Sequence, residues 1–86
     1  MSAPIMLITG ASGEIGAATA RAAAGAGWDL ALNGLVDGPR PDQLAAELAT
    51  ETGRRAEVVL GDVAVEADVL SMFDEVQERF GGLDCL

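Results

Sequence analysis

The sequence contains no lysine, no histidine and no tyrosine, and it holds one cysteine and one tryptophan in 86 residues. Each absence removes a class of chemistry. With five basic residues, all arginine, against 14 acidic ones, the formal charge is −9, the wrong sign for nucleic acid or an anionic membrane as partner. An anionic ligand would have to be held by backbone amides and a helix dipole. Without histidine, and with Cys85 the only thiol, a zinc site has almost no ligands to draw on and an internal disulfide cannot form, which is compatible with a reducing compartment. The missing lysine also rules out the Gly-Lys-Ser/Thr of a P-loop. No apolar run approaches the roughly 20 residues that span a bilayer, and no basic stretch precedes a signal-type apolar segment at the N-terminus. The expectation is a soluble cytoplasmic chain of at most one small domain, residues 1–86, with a thin core.

What is present is organised around Ile5–Gly16. Ile5, Met6, Leu7 and Ile8 form a short continuous apolar run bounded by Pro4 and Gly10, the pattern of a strand buried on both faces of a parallel sheet. Good helix formers follow from Ala17 to Gly25. Gly10, Gly13 and Gly16 therefore sit where a strand turns into a helix. Residues without Cβ let the backbone turn tightly and let a pyrophosphate approach the helix N-terminus, where unpaired N–H groups point at its charge. The spacing is G-x-x-G-x-x-G rather than the G-x-G-x-x-G of the common dinucleotide fingerprint, so plain strand–turn–helix packing stands beside the phosphate cradle as a reading.

Further along, Ile15, Ala18, Thr19, Ala22, Ala23 and Ala26 recur at helical spacing and predict a small-residue face against the sheet. Trp28–Asn33 reads as a second strand, with Trp28, Leu30 and Leu32 on one face and Ala31 on the other. Pro41 and Asp42 begin a second helix with Leu44, Ala45 and Leu48 on its apolar side, and Gly53 ends it. Ala56–Leu60 predicts a third strand. Val65–Phe80 is the clearest amphipathic pattern, with Val69, Leu70, Phe73, Val76 and Phe80 as its stripe and Glu66, Asp68, Asp74, Glu75 and Glu78 as its wet side. Leu83–Leu86 starts a fourth apolar run. The order β-α-β-α-β-α-β implies right-handed crossovers and a parallel sheet with helices on both faces, the N-terminal half of a doubly wound α/β fold.

Three segments together resemble the short-chain dehydrogenase/reductases, nicotinamide-dependent Rossmann enzymes: T-G-A-S-G-E-I-G at Thr9–Gly16, G-D-V at Gly61–Val63, and R-F-G-G-L-D-C-L at Arg79–Leu86. The resemblance covers the whole chain. In that family such a segment runs on into Asn-Asn-Ala-Gly. One departure lies in the cradle: the main branch has T-G-x-x-x-G-x-G, which would place glycine where Glu14 stands. The pattern T-G-x-x-G-x-x-G, met by Gly10, Gly13 and Gly16, resembles the extended branch that includes nucleotide-sugar epimerases, whereas the tail resembles the main branch.

The resemblance implies a cofactor site made of Thr9, Gly10, Ser12, Gly13, Glu14, Ile15 and Gly16 around the pyrophosphate, with Asn33 at the ribose end. Asp62 would meet the adenine ring, with Val63 lining the same pocket. For Asp62 a helix cap or strand-end turn is the plain alternative. Glu14 would either repel a pyrophosphate or face solvent and favour the helix dipole. With Asn33 and Gly34 rather than an acid after the second strand, NADP(H) is preferred over NAD and Arg40 is a candidate 2′-phosphate partner, unless Asp37 reaches the ribose. Arg40 as a solvated loop cation is the plain alternative. Cys85 is read as a small buried hydrophobe. The family's catalytic serine, tyrosine and lysine have no counterparts here: neither tyrosine nor lysine is present. The expectation is the N-terminal cofactor-binding portion of a longer, homo-oligomeric oxidoreductase that interconverts an alcohol and a carbonyl, inactive as these 86 residues alone. The alternatives are a stand-alone nucleotide-binding or interaction module without catalysis, or a fragment of an extended-type epimerase or dehydratase.

Overall fold

Alternation of side chains along three short strands decides how the layers stack. In the computed structural model, which describes residues 3–11, 13–35 and 41–84, the order is β1 (Ile5–Ile8), α1 (Glu14–Gly25), β2 (Asp29–Gly34), α2 (Asp42–Thr52), β3 (Ala56–Leu60) and α3 (Glu66–Phe80). The strands form one parallel sheet in the order β1-β2-β3. Ile8 is in register with Leu32, and Leu32 with Val58. Because successive side chains point to opposite faces, Ile8, Leu30 and Leu32 meet Ala20, Ala23 and Ala24 of α1 and Ala45 and Leu48 of α2. Ile5, Leu7, Ala31 and Val59 meet Met72 and Val76 of α3 on the other face. Helices thus cover both faces, as expected for a β-α-β series with right-handed crossovers.

The first three predicted strands and the three predicted helices occur, but two faces are corrected. On α1 the buried residues are Ala20, Ala23 and Ala24, and Ile15 is 85% exposed; of the predicted face only Ala23 is buried. The helix also starts at Glu14, not Ala17. The cause is Gly16: a Cβ there would lie 2.4 Å from the Gly10 carbonyl oxygen, so this side of the helix is the one pressed against the chain, and residues one and two turns on follow it inward. On α3, Met72 and Val76 are buried, while Leu70 and Phe73 are exposed. Met72 takes the central place because it packs under Gly61, where a Cβ would stand 2.5 Å from its sulfur.

At its N-terminal end α2 begins at Asp42 with Pro41 as the residue before the first helical one. Gly53 and Gly81 close α2 and α3 in the left-handed region, as helix-terminating glycines do. On the outer strand, Arg79 donates to the Val58 carbonyl at 3.1 Å and pairs with Glu75 at 2.7 Å, which caps part of the exposed edge. The expected fourth strand falls at the limit of the described residues. Leu83 and Asp84 are not strand, but the Asp84 N–H donates to the Ile5 carbonyl at 2.9 Å, and its carboxylate accepts from the Ile5 N–H at 2.9 Å. The chain has therefore reached the free side of β1; Cys85 and Leu86 lie outside the described residues.

Candidate functional site

The passage from β1 to α1 is made by backbone. Gly10 has φ +62°, a conformation that side-chain-bearing residues avoid, and its carbonyl accepts from the Gly13 N–H at 3.1 Å. Gly13 is the N-cap of α1 and brings no side-chain cap, so the first-turn N–H groups are left for another acceptor. In front of them lies an open cleft of about 630 Å³, lined by Thr9, Gly10, Gly13, Glu14, Ile15 and Thr19 among others. It sits outside the C-terminal ends of parallel strands, where open α/β sheets place their ligands. No basic residue lines it among the described residues. Among the described residues its positive character therefore comes from the α1 N-terminus, and Glu14 in the first turn opposes an anion there while favouring the helix.

Of the residues singled out from the sequence, Thr9, Gly10, Gly13, Glu14, Ile15 and Gly16 come together around this cleft. Ser12 lies outside the described residues, as do Asp37 and Arg40. Val63 is 53% exposed and borders a second hollow of about 170 Å³ with Thr9, Leu7, Val69, Met72 and Phe73, so the turn after β3 adjoins the turn after β1. Asp62 forms a strand-end turn: its carboxylate accepts from the Ala64 N–H at 2.9 Å and its carbonyl from the Val65 N–H at 2.9 Å.

Asn33 is the residue whose placement departs from its expected role. It is 4% exposed, and its amide is used up inside the protein. Oδ1 accepts from the Gly10 N–H at 3.2 Å, and Nδ2 donates to the Gly61 carbonyl at 3.0 Å, with the Val59 carbonyl at 3.3 Å. A side chain bound this way has no polar atom left for a ribose. Position along β2 suggested a ligand contact; the side-chain direction, set by the strand's alternation, turned it inward. Two further residues support these turns: Ala11, fully buried, whose N–H donates to the Asn33 carbonyl at 3.1 Å, and Asp68, whose carboxylate accepts from the Asp62 N–H at 2.9 Å. The amphipathic pattern puts Asp68 on the wet side of α3. The signal available for it was an acid in the first turn of a helix. Among the described residues no group of acidic, cysteine or histidine side chains could hold a metal ion, and no helix is long and apolar enough to cross a membrane.

Known proteins share this geometry. The chain is 40% identical over 87 residues to the short-chain dehydrogenase/reductase eriH of Hericium erinaceus, covering 95% of this chain and 33% of the relative. The alcohol dehydrogenase of Thermococcus sibiricus, solved as a complex with 5-hydroxy-NADP, superposes with a TM-score of 0.85 at 38% identity over 94% of this chain and 34% of that one. A 3-oxoacyl-[acyl-carrier protein] reductase of Brucella melitensis in complex with NAD gives 0.87 at 30% identity, over 100% of this chain and 32% of that one. The chain thus spans about a third of the length of the relatives it matches. The profile of the short chain dehydrogenases itself matches residues 4–86, a span that includes the glycine turn, the Gly61–Val63 turn and the segment that reaches β1 again, and on this match the chain belongs to the short-chain dehydrogenase family.

Proposed function

We propose that these residues are the cofactor-binding portion of a longer NAD(P)-dependent oxidoreductase that interconverts an alcohol and a carbonyl. The observation that carries this reading is the uncapped α1 N-terminus behind a left-handed Gly10, facing an open cleft at the strand ends. Such a surface fits a pyrophosphate and needs no lysine. Thr9, Gly10, Ser12, Gly13, Ile15 and Gly16 would line the pyrophosphate side, and Val63 with Asp62 the adenine side. When bound, a nicotinamide dinucleotide supplies hydride chemistry; the described residues bind and orient it. The proton-transferring tyrosine and lysine that the family implies are not among these 86 residues, so the segment alone is proposed to be inactive. NADP is preferred, since β2 ends in Asn33 and Gly34 and is followed by Leu35, with no carboxylate at these three positions to hold a ribose 2′-hydroxyl or repel a 2′-phosphate. The nucleotide complexes of the two structural neighbours described above, one with a NADP derivative and one with NAD, support the cofactor class.

The test is a fluorescence titration of the full-length protein with NADPH and with NADH. Saturable binding of both, with NADPH the tighter, is expected; no saturable binding of either refutes the reading. A second expectation concerns Glu14, the exposed first-turn carboxylate at the cleft. Glu14→Gly removes a like charge from the anion's neighbourhood and should tighten NADPH binding several-fold at low salt, with the gain shrinking as salt rises. An unchanged dissociation constant would place the carboxylate away from the phosphates.

A further inference from the structure

Among the described residues Asn33 is the buried polar side chain, and it touches three separate pieces of backbone. The Gly10 N–H donates to its Oδ1, and the Ala11 N–H donates to its carbonyl. Its Nδ2 donates to the Gly61 carbonyl, while the Gly61 N–H donates to the Gly34 carbonyl at 3.0 Å. We propose that Asn33 is a positioning residue: its single amide joins the turn after β1 to the turn after β3, so that the pyrophosphate and adenine walls of the site form one unit before ligand arrives. This rests on reading the cleft as a dinucleotide site.

The chemistry of the position is narrow. An acceptor must meet the Gly10 N–H and a donor must meet the Gly61 carbonyl from one short planar group, which asparagine alone supplies in its usual form. A carboxylate keeps the acceptor and loses the donor. Alanine loses both and leaves a buried N–H and a buried carbonyl without partners. With the Gly10 N–H held inward, the turn presents its carbonyl side to Gly13 and leaves the start of α1 facing the cleft. Gly61 packs against Met72, whose sulfur would lie 2.5 Å from a Cβ there, and its N–H is held by the Gly34 carbonyl. The groups that meet Asn33 belong to Gly10, Gly34, Val59, Gly61 and Met72 and carry no charge; the nearby carboxylates of Asp62 and Asp68 are bound to backbone N–H groups.

Asn33→Asp tests this in the full-length protein. A buried carboxyl facing carbonyl oxygens has its pKa raised, and in its protonated form it again offers an O–H toward Gly61. The bracing is therefore lost at high pH and regained as pH falls through that raised pKa. Relative to wild type at the same pH, NADPH affinity is expected to fall about tenfold at roughly pH 8 and to recover to within about threefold near pH 5.5, whereas Asn33→Ala stays weak at both. A folded Asn33→Asp protein that binds NADPH like wild type at the higher pH, or that stays equally weak at both, overturns the proposal. If wild type itself fails to bind NADPH, the cofactor reading fails, and amide exchange in the ligand-free protein decides the bracing: faster exchange at both Gly10, which loses its acceptor, and Gly61 in Asn33→Ala supports it, and unchanged exchange at either overturns it.

Discussion

Gly16→Ala is expected to destabilise the protein by about 1–3 kcal/mol, the usual range for forcing an extra methyl into a packed site, and to weaken NADPH binding at least tenfold. The added Cβ would stand 2.4 Å from the Gly10 carbonyl oxygen, 2.9 Å from the Ala11 Cα and 3.0 Å from the Gly10 carbonyl carbon. All three are backbone atoms of the turn that faces the cleft, so relief cannot come from a rotamer change. Either α1 backs away from the turn or the turn is pushed toward the ligand, and both outcomes disturb the cradle. Two other glycines serve as references. At Gly13 a Cβ would meet only the Gly10 carbonyl at 3.5 Å, an ordinary contact, and at Gly25 it would meet nothing within 4 Å. Gly25→Ala, at the last residue of α1, should therefore stabilise by about 0.5–1 kcal/mol through helix propensity. Urea unfolding followed by circular dichroism separates the three. A Gly16→Ala midpoint equal to wild type would show that the helix–turn contact is not tight.

Leu32→Ala is expected to destabilise by about 2–5 kcal/mol and to fall toward the upper end of that range. Leu32 is 0% exposed and lies in the centre of β2, in register with Ile8 on one side and Val58 on the other. The helices over it present Ala20, Ala23, Ala24 and Ala45, with Leu48 as the one large buried side chain among them. Small side chains at a close helix–sheet contact cannot lean in to fill a cavity, so collapse, which softens such losses elsewhere, is restricted here. For a small domain whose total stability is on the order of 5 kcal/mol, a loss of that size is enough to unfold much of the population at 37 °C. Leu70→Ala provides the contrast. Leu70 is 59% exposed, and its truncation should change stability by no more than about 0.5 kcal/mol. Equal shifts in the unfolding midpoints of the two variants would refute the placement of the core.

How much of this could be read from the chain differs from element to element. The strand Ala56–Leu60 occurs with its predicted limits, because valines at adjacent positions between turn residues specify a buried strand locally. The two faces of β2 were legible too: Leu30 and Leu32 lie on the α1 and α2 side and Ala31 on the α3 side, as strict alternation requires. In α1 local pattern was insufficient. Eight of its 12 residues are alanine or glycine, and a helix so uniform in side-chain size carries no strong preference for which face to bury. The choice was made by Gly10, outside the helix, whose carbonyl admits only Gly16 beside it.

The same division holds in the site. Composition and spacing by themselves determined a parallel α/β unit and a glycine turn at a helix N-terminus, since each depends on residues adjacent in sequence. What only the tertiary structure decided was which side chains face the cleft and which face the protein. Asn33 stands 23 residues from Gly10 and 28 from Gly61, and Met72 reaches beneath Gly61 from the other layer. Contacts across such separations depend on strand register and helix rotation together, and neither is written in any local period of the chain.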